Sequence, residues 1–426
     1  MTYEETLDFL YRLEVERMDL KLERVAAALQ LCGSPHLRFP SLHVAGTNGK
    51  GSTAAFLHSM LSARGYRVGL FTSPHLVDFC ERIRLGTRLI TQPEVIEGVA
   101  LLRALIEPSG IYLTPFEMMA LLAFRTFADQ QVDIAVVEVG LGGRLDATNV
   151  LSPLVSIITS IGLDHQAYLG PTLAHIAREK GGIMKPKIPV VLGKMDAESN
   201  QILCDLAEAQ ESPTFSAGRD FFVADNPAGG FDYTGHVWRL RELRSGLRGW
   251  FQQGNAAVAI AALETMRSSF AVSESCVRQG LLAASWPGRL QVVSERPLVV
   301  LDGAHNPQAM EVLCSELPAV LQGKRAKVVF GVMHDKDWRS MIPRLAQVAT
   351  EVVVTRVKQA RAEDPLVLQA ALSPLCPTRI VDDAREACLQ LLAETAPDEA
   401  LVICGSLFLV GEVSSLFVPA CASLSR

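Results

Sequence analysis

The sequence predicts an α/β fold in two domains, and three observations carry that prediction. Apolar strand-like runs alternate with helix-patterned stretches through the first half of the chain, which is the rhythm of a mainly parallel sheet. A glycine turn, Gly46-Thr47-Asn48-Gly49-Lys50-Gly51-Ser52, joins the apolar run 42–45 to a helical pattern over 53–64. After Trp286-Pro287-Gly288-Arg289 a fresh βα series begins. A chain of 426 residues suits such a division, since a domain takes roughly 150 residues and α/β domains run larger.

The first series runs through 42–45, 53–64, 66–71, 92–106, 114–128, 132–139, 154–159, 172–180, 189–192 and 199–209. Between Ala217 and Trp250 the segments shorten, with turns expected at Asn226-Pro227 and Gly229-Gly230, a small antiparallel excursion. Helical patterns return at 255–267 and 273–284. The second series is strand 298–301, helix 308–317, strand 327–331, helix 339–349, strand 351–355, helix 384–396 and strand 400–404. We therefore expect residues 1–287 to form an N-terminal P-loop domain, 288–297 a linker, and 298–426 a C-terminal Rossmann-like α/β domain. Only the first carries a phosphate loop, which leaves substrate contacts or closure to the second.

Composition narrows the function classes. A hydrophobic content of 49% with 20% charged residues fits a globular enzyme, and no apolar run is long enough to span a bilayer. The opening residues, Met1-Thr2-Tyr3-Glu4-Glu5, lack the positive and apolar regions of a secretory signal, so the protein is expected in the cytoplasm; a monomer is expected. Its nine cysteines, at 32, 80, 204, 276, 314, 376, 388, 404 and 421, form no C-x-x-C pair and read as reduced thiols. A formal charge of −6 supplies no general attraction for nucleic acid.

The glycine turn is the first candidate site. Glycines let the backbone approach phosphate oxygens, the helix start supplies N–H donors and positive potential, and Lys50 adds a full charge. It departs from G-x-x-x-x-G-K-[ST], which would put glycine at Val44 and a hydroxyl at Gly51. Glu138 ends an otherwise apolar strand and needs a cation or donors, either Mg²⁺ beside the phosphates or an arginine. The glycine-rich run 140–149 and the segment Ile161-Gly162-Leu163-Asp164-His165 also follow strand ends, where open α/β sheets hold ligands. His165 there is either structural or catalytic. Lys180 ends a helix, where a lysine ordinarily complements the dipole or faces solvent. Asp302-Gly303-Ala304-His305-Asn306-Pro307 reads as a polar site or as a helix-capping turn.

Taken in order, GTNGKGS, TSPH (72–75), ERIR (81–84), EVGLGGRLDATN (138–149), LDH (163–165), REKGGI (178–183), PGR (287–289) and LDGAHN (301–306) resemble one family. It is the folylpolyglutamate synthase and dihydrofolate synthase family, related to the Mur ligases of cell-wall synthesis. The likeness reaches from the first motif to Cys404-Gly405-Ser406-Leu407-Phe408, nearly the whole chain. It implies an ATP-dependent ligase that joins L-glutamate to dihydropteroate, to tetrahydrofolates, or to both, through an acyl phosphate. A Mur-type amino-acid ligase, which the TPFE and LDATN segments disfavour, and a P-loop nucleotide switch are the competing readings.

Carried over residue by residue, the resemblance implies that Asn48, Gly49, Lys50, Gly51 and Ser52 cradle ATP. Ser73 and Glu138 would hold one Mg²⁺, His165 a second, and Lys180 would be carbamylated. Asn255, Arg289 and Asp302 would complete the ATP site, so that domain closure assembles the centre. Lys50, Glu138, His165 and Lys180 form the implied catalytic set. For the pterin the resemblance points to Thr114, Pro115, Phe116 and Glu117 with Leu145, Asp146 and Ala147. Phe116 offers an aromatic face, and Glu117 or Asp146 a polar partner. For glutamate it points to Arg82, Asp302, His305 and Ser406, an arginine fork suiting a carboxylate. Phe408 and Gln166 depart from the family's frequent tyrosine and threonine.

Overall fold

The structure, a computed structural model, describes residues 1–13, 22–226 and 230–417. Its first sheet contains β1 (Ser41–Ala45), β2 (Val68–Phe71), β3 (Ile83–Leu85), β4 (Arg88–Leu89), β5 (Ile134–Glu138), β6 (Val155–Ile158), β7 (Val190–Leu192) and β8 (Thr214–Ser216). They lie in the order β4-β3-β2-β5-β1-β6-β7-β8. From β2 to β8 every neighbouring pair is parallel, while β3 and β4 are antiparallel additions at one edge. All five residues of β1 and of β5 are buried, as expected of strands covered on both faces.

Helices α1 (Tyr3–Arg12), α2 (Leu22–Leu31), α3 (Lys50–Ala63), α4 (Gln92–Ile106) and α5 (Pro115–Asp129) belong to this unit. Capping boxes start α1, α4 and α5, where Thr2, Thr91 and Thr114 pair with Glu5, Glu94 and Glu117 and satisfy helix-end donors reciprocally. Leu10 and Leu29, from α1 and α2, share a core with Phe79, Phe124 and Phe127. Sequence periodicity did not register these two short helices.

The antiparallel excursion is a three-stranded sheet, β11-β10-β9, of β9 (Phe222–Asp225), β10 (Phe231–Thr234) and β11 (Arg239–Leu243). Buried Glu264, on helix Trp250–Thr265, accepts the Tyr233 hydroxyl at 2.9 Å and the backbone N–H groups of His236, Val237 and Trp238. Asn226 bonds Gly230 across the expected turn, whose Pro227 and Gly229 lie outside the described residues.

The second sheet runs β12-β13-β17-β14-β15-β16, from β12 (Gln291–Glu295), β13 (Leu298–Leu301), β14 (Arg325–Phe330), β15 (Ala349–Arg356), β16 (Thr378–Asp383) and β17 (Glu399–Cys404). It is parallel except for β12. Here one expectation is corrected. Residues 288–297, read as a linker, contain β12, which pairs antiparallel with β13 as an edge strand.

The chain divides into two compact units: Met1–Ile161 with Pro171–Gly246 and Gln252–Ala284, and Gly162–Gly170 with Leu247–Phe251 and Ser285–Arg426. The expected continuous span 1–287 is thus interrupted by two short segments that pack with the C-terminal unit, a tertiary choice that periodicity does not register. Eight cysteines carry free thiols, and Cys421 lies outside the described residues. No helix among the described residues is long and apolar enough to cross a membrane.

Candidate active site

In the first unit β2, β5, β1 and β6 are parallel neighbours, so their carboxyl ends open on one edge, where ligands bind in such sheets. Val44 is in register with Glu138, and Ala45 with Ile158. This register gathers the glycine turn after β1, Thr72 and Ser73 after β2, Glu138 at the end of β5, and Thr159 and Ser160 after β6.

The turn needs glycine at two positions. Gly46 has φ 147°, and a Cβ there would meet Thr159 Oγ1 at 1.9 Å; Gly49 has φ 86°, and its Cβ would meet Asn255 Oδ1 at 2.3 Å. Thr159 Oγ1 donates to the Asn48 carbonyl at 2.7 Å, and Asn48 N–H donates to Ser160 Oγ at 3.0 Å. Gly49 caps α3, which begins at Lys50 and buries Ser52. The Lys50 ammonium bonds the carbonyls of Gly46 and Thr47, at 3.1 and 3.2 Å. Lys180, 5% exposed, reaches the same Gly46 carbonyl at 2.9 Å. The helix-end reading of Lys180 as a solvated or dipole-facing residue is therefore corrected.

Glu138 is buried, and its Oε2 accepts the backbone N–H of Ser73 at 3.3 Å. Arg82, in the 3-10 turn Phe79–Arg82, is 9% exposed; burial lowers its pKa while Tyr11, Glu138 and Glu81 act to raise it. Its Nε donates to Nδ1 of His75 at 2.8 Å. Burial first and Arg82 second push the His75 pKa down to about 4. Among the described residues no three His, Cys, Asp or Glu side chains gather as a metal cluster. A buried carboxylate beside a phosphate loop still fits Mg²⁺, which is commonly held by one or two carboxylates plus substrate phosphates.

The expected pterin residues adjoin one another. Phe116 lies 5.8 Å from the Phe71 ring and packs where a Cβ on Gly140 would stand, 2.3 Å from its ring edge. Thr114 caps α5, Pro115 opens it, Leu145 is half-buried and Ala147 buried. The two carboxylates expected to face the heterocycle have partners inside the fold. Glu117 accepts the Thr114 N–H at 2.6 Å and the Arg24 guanidinium at 2.7 Å. Asp146 Oδ2 accepts the N–H groups of Gly140 and Leu141, at 3.0 and 2.9 Å, and Oδ1 accepts the Thr148 N–H and hydroxyl. Burial raises the Asp146 pKa, and these donors work against the rise. Both acids shape the loop walls of this region.

The second unit has its own polar cluster. Asp302 directly follows β13 and accepts the backbone N–H of Leu290 at 2.7 Å and of Ala304 at 2.8 Å; burial raises its pKa, countered chiefly by Arg289. His305 Nδ1 donates to the Gly303 carbonyl at 2.7 Å, leaving Nε2 3.5 Å from Asp164. Asp164 also accepts Lys336 at 2.7 Å and Asn306 at 3.1 Å. Its burial acts to raise the carboxyl pKa, but His305, Lys336 and His165 together hold it well below the usual carboxylate range. His165, with φ 51°, lies 3.1 Å from the Lys336 ammonium through Nε2. Ser406 is buried and caps helix Leu407–Ser414 through the N–H of Phe408.

Sequence reasoning missed Thr159, Ser160, His75, Asp164 and Lys336. The first four lie in or beside quoted motifs. Lys336 lies in His334-Asp335-Lys336-Asp337, a charged run separated from the end of β14 by three residues that offered a comparable signal.

The Mur ligase middle domain matches residues 44–263, and the Mur ligase glutamate ligase domain matches 288–407. Folylpolyglutamate synthase of Lacticaseibacillus casei is 34% identical over 424 residues, covering 97% of this chain and 98% of that protein. Escherichia coli FolC in complex with DHPP and ADP superposes with a TM-score of 0.90 at 32% identity, covering 98% of this chain and 97% of that one. A bifunctional folylpolyglutamate synthase/dihydrofolate synthase with Mn, AMPPNP and L-glutamate bound gives 0.89 at 33% identity, covering 98% of both chains.

Proposed function

The chain belongs to the folylpolyglutamate synthase/dihydrofolate synthase family of Mur ligases, and on that premise we propose that it joins L-glutamate to dihydropteroate and to tetrahydrofolates with conversion of ATP to ADP and phosphate. The observation that carries the proposal is the convergence of Glu138, Ser73, Lys50 and Lys180 around a glycine turn at the carboxyl ends of β1, β2 and β5.

A carboxylate is a poor electrophile, so the substrate carboxylate first takes the γ-phosphoryl group and ADP leaves. The glutamate amine then attacks the acyl carbon, phosphate departs with the bonding electrons, and the amine gives its proton to solvent. In this mechanism the loop N–H groups from Asn48 to Ser52 hold the phosphates and Lys50 offsets charge on the transferred group. Ser73 and Glu138 would hold a Mg²⁺ ion, which supplies further charge neutralisation when bound. A second ion is proposed at His165. Its Nε2 accepts from the Lys336 ammonium, which can only donate, so an ion held there would take the place of that bond. Asn255 would bound the nucleotide site beside Gly49, and Arg289 and Asp302 are proposed as further ATP-binding residues.

Carbamylation of Lys180 is part of the proposal. Two ammonium groups on the Gly46 carbonyl repel, whereas a carbamate removes one positive charge and brings oxygen ligands suited to a hard cation. A carbamate signal from ¹³C-bicarbonate, present in the protein and absent from Lys180→Ala, checks it. The activity test supplies purified protein with ATP, Mg²⁺ and glutamate, plus dihydropteroate or tetrahydrofolate separately. Glutamate-dependent ADP release with a product heavier by one glutamyl unit is expected for each pterin. Nucleotide turnover indifferent to glutamate would instead favour a P-loop switch.

A further inference from the structure

Residues 73–82 form a rim whose backbone is held by its own acids. The Glu81 carboxylate accepts three successive N–H groups, from Leu76 at 2.7 Å and from Val77 and Asp78 at 2.9 Å. Asp78 Oδ1 accepts the Cys80 N–H at 2.8 Å and, from α1, the Tyr3 hydroxyl at 3.0 Å. This frame fixes the backbone of the rim but not the direction of a long arginine side chain.

The direction of Arg82 is set by two neighbours. Its guanidinium carbon stands 5.9 Å from the centre of the Phe79 ring, and its Nε donates to His75 Nδ1. A guanidinium has five donors and no acceptor, so Nδ1 must be the bare nitrogen and the ring proton must sit on Nε2. With Nε engaged by the imidazole, the fork made by the two Nη nitrogens is the edge that remains for bidentate pairing with a carboxylate.

We propose that His75 is a positioning residue that aims Arg82, through Nδ1 alone, at a carboxylate of the incoming amino acid. This rests on the reading that Arg82 takes a glutamate carboxylate. The role assigned to His75 requires an acceptor at the Nδ1 position and nothing from Nε2. Asparagine places its Oδ1 near where Nδ1 stands, glutamine reaches instead toward the Nε2 position, and leucine fills the space without an acceptor.

The experiment measures glutamate KM, kcat and ADP affinity for the wild type and for His75→Asn, His75→Gln, His75→Leu and Arg82→Ala, with thermal melts as the folding control. Losing a charge-assisted orienting bond should raise the glutamate KM about tenfold in His75→Leu and His75→Gln. Their kcat should stay within about threefold, since the lost contact serves glutamate binding. ADP affinity should be unchanged, and His75→Asn should lie within about threefold of the wild-type KM, because it restores the acceptor. A glutamate KM in His75→Leu equal to the wild type, or in His75→Asn as high as in His75→Leu, overturns the inference. Should His75→Leu fail to fold, the contrast between asparagine and glutamine decides alone. Arg82→Ala separates the two levels: an unchanged glutamate KM there removes the reading on which the inference stands. A raised KM in Arg82→Ala with a normal one in His75→Leu removes the inference only.

Discussion

Adding one methyl group at Gly46 should disable the phosphate loop, and the structure sets the scale. The new Cβ would stand 1.9 Å from Thr159 Oγ1 and 3.2 Å from Ser160 N, whereas real Cβ contacts essentially never fall below 3.0 Å. Loop and strand end must therefore part by about 1 Å, and Thr159 cannot yield freely because its Oγ1 bonds the carbonyls of Asn48 and Ala45. Displacing the hydroxyl, whose one proton is shared between those two carbonyls, removes about 1 kcal/mol, and a side chain at φ 147° adds strain of about 1–3 kcal/mol. A loop displaced by about 1 Å from its reacting geometry forfeits about a hundredfold in rate. We expect Gly46→Ala to lower kcat/KM for ATP by that factor, measured by coupled ADP release, with weaker ADP binding by titration calorimetry. The culprit atom can be removed: Gly46→Ala with Thr159→Ala should recover about tenfold, while Thr159→Val leaves a carbon in the same place and should recover nothing. Activity of Gly46→Ala within twofold of wild type, or equal recovery with alanine and valine, would refute the steric argument.

Three other outcomes are expected. Glu138→Gln keeps the size of the side chain but loses its charge, so kcat should fall about a hundredfold or more and half-saturation should need more Mg²⁺, with an unchanged thermal melt; normal turnover would remove its metal role. Glu264→Ala leaves the Tyr233 hydroxyl and three backbone donors without their acceptor, so urea titration should show a loss of about 3 kcal/mol with kcat retained. His43 and His58 are buried, and burial first, then Lys185 and Arg84 respectively, lowers each pKa to about 3. The unfolded chain therefore binds more protons between about pH 6.5 and 3, and stability must fall as pH drops through that window. Each histidine should cost about 2 kcal/mol at pH 5, and His58→Leu should flatten the denaturation midpoint's slope with pH; an unchanged slope would contradict the assigned burial.

What the sequence disclosed and what it withheld divide along the range of the interactions. The glycine turn was legible because strand, turn and helix are contiguous and the constraint on Gly46 and Gly49 is a backbone one. Glu138 was legible because a carboxylate in an otherwise apolar strand requires a partner. Thr159 and Ser160 carried no such signal: hydroxyls after a strand are ordinary until the β1–β6 register places them against Asn48. Lys180 was misread for the same reason, since its carbonyl partner is 134 positions away. Strand β12 was taken for a linker because an edge strand can carry few apolar residues, and only Val292 and Val293 mark it.

Glu138 and Asp302 show where reading residues one at a time stops. Each is a buried carboxylate closing an apolar parallel strand, and by sequence pattern they are equivalent. Their surroundings are not. The two oxygens of Asp302 accept the N–H groups of Leu290 and Ala304, binding the turn after Arg289 to the strand that begins the LDGAHN run. Glu138 meets the N–H of Ser73 at a longer 3.3 Å and interacts electrostatically with the buried Arg82 guanidinium. A carboxylate held by short backbone bonds is committed to architecture, and whatever it contributes to a ligand it contributes through the Arg289 turn. One set beside a phosphate loop is placed to meet a cation there. Charge removal should therefore separate the pair: Asp302→Asn should disturb the folding of its turn and Arg289 together, whereas Glu138→Gln should leave the fold intact and remove turnover.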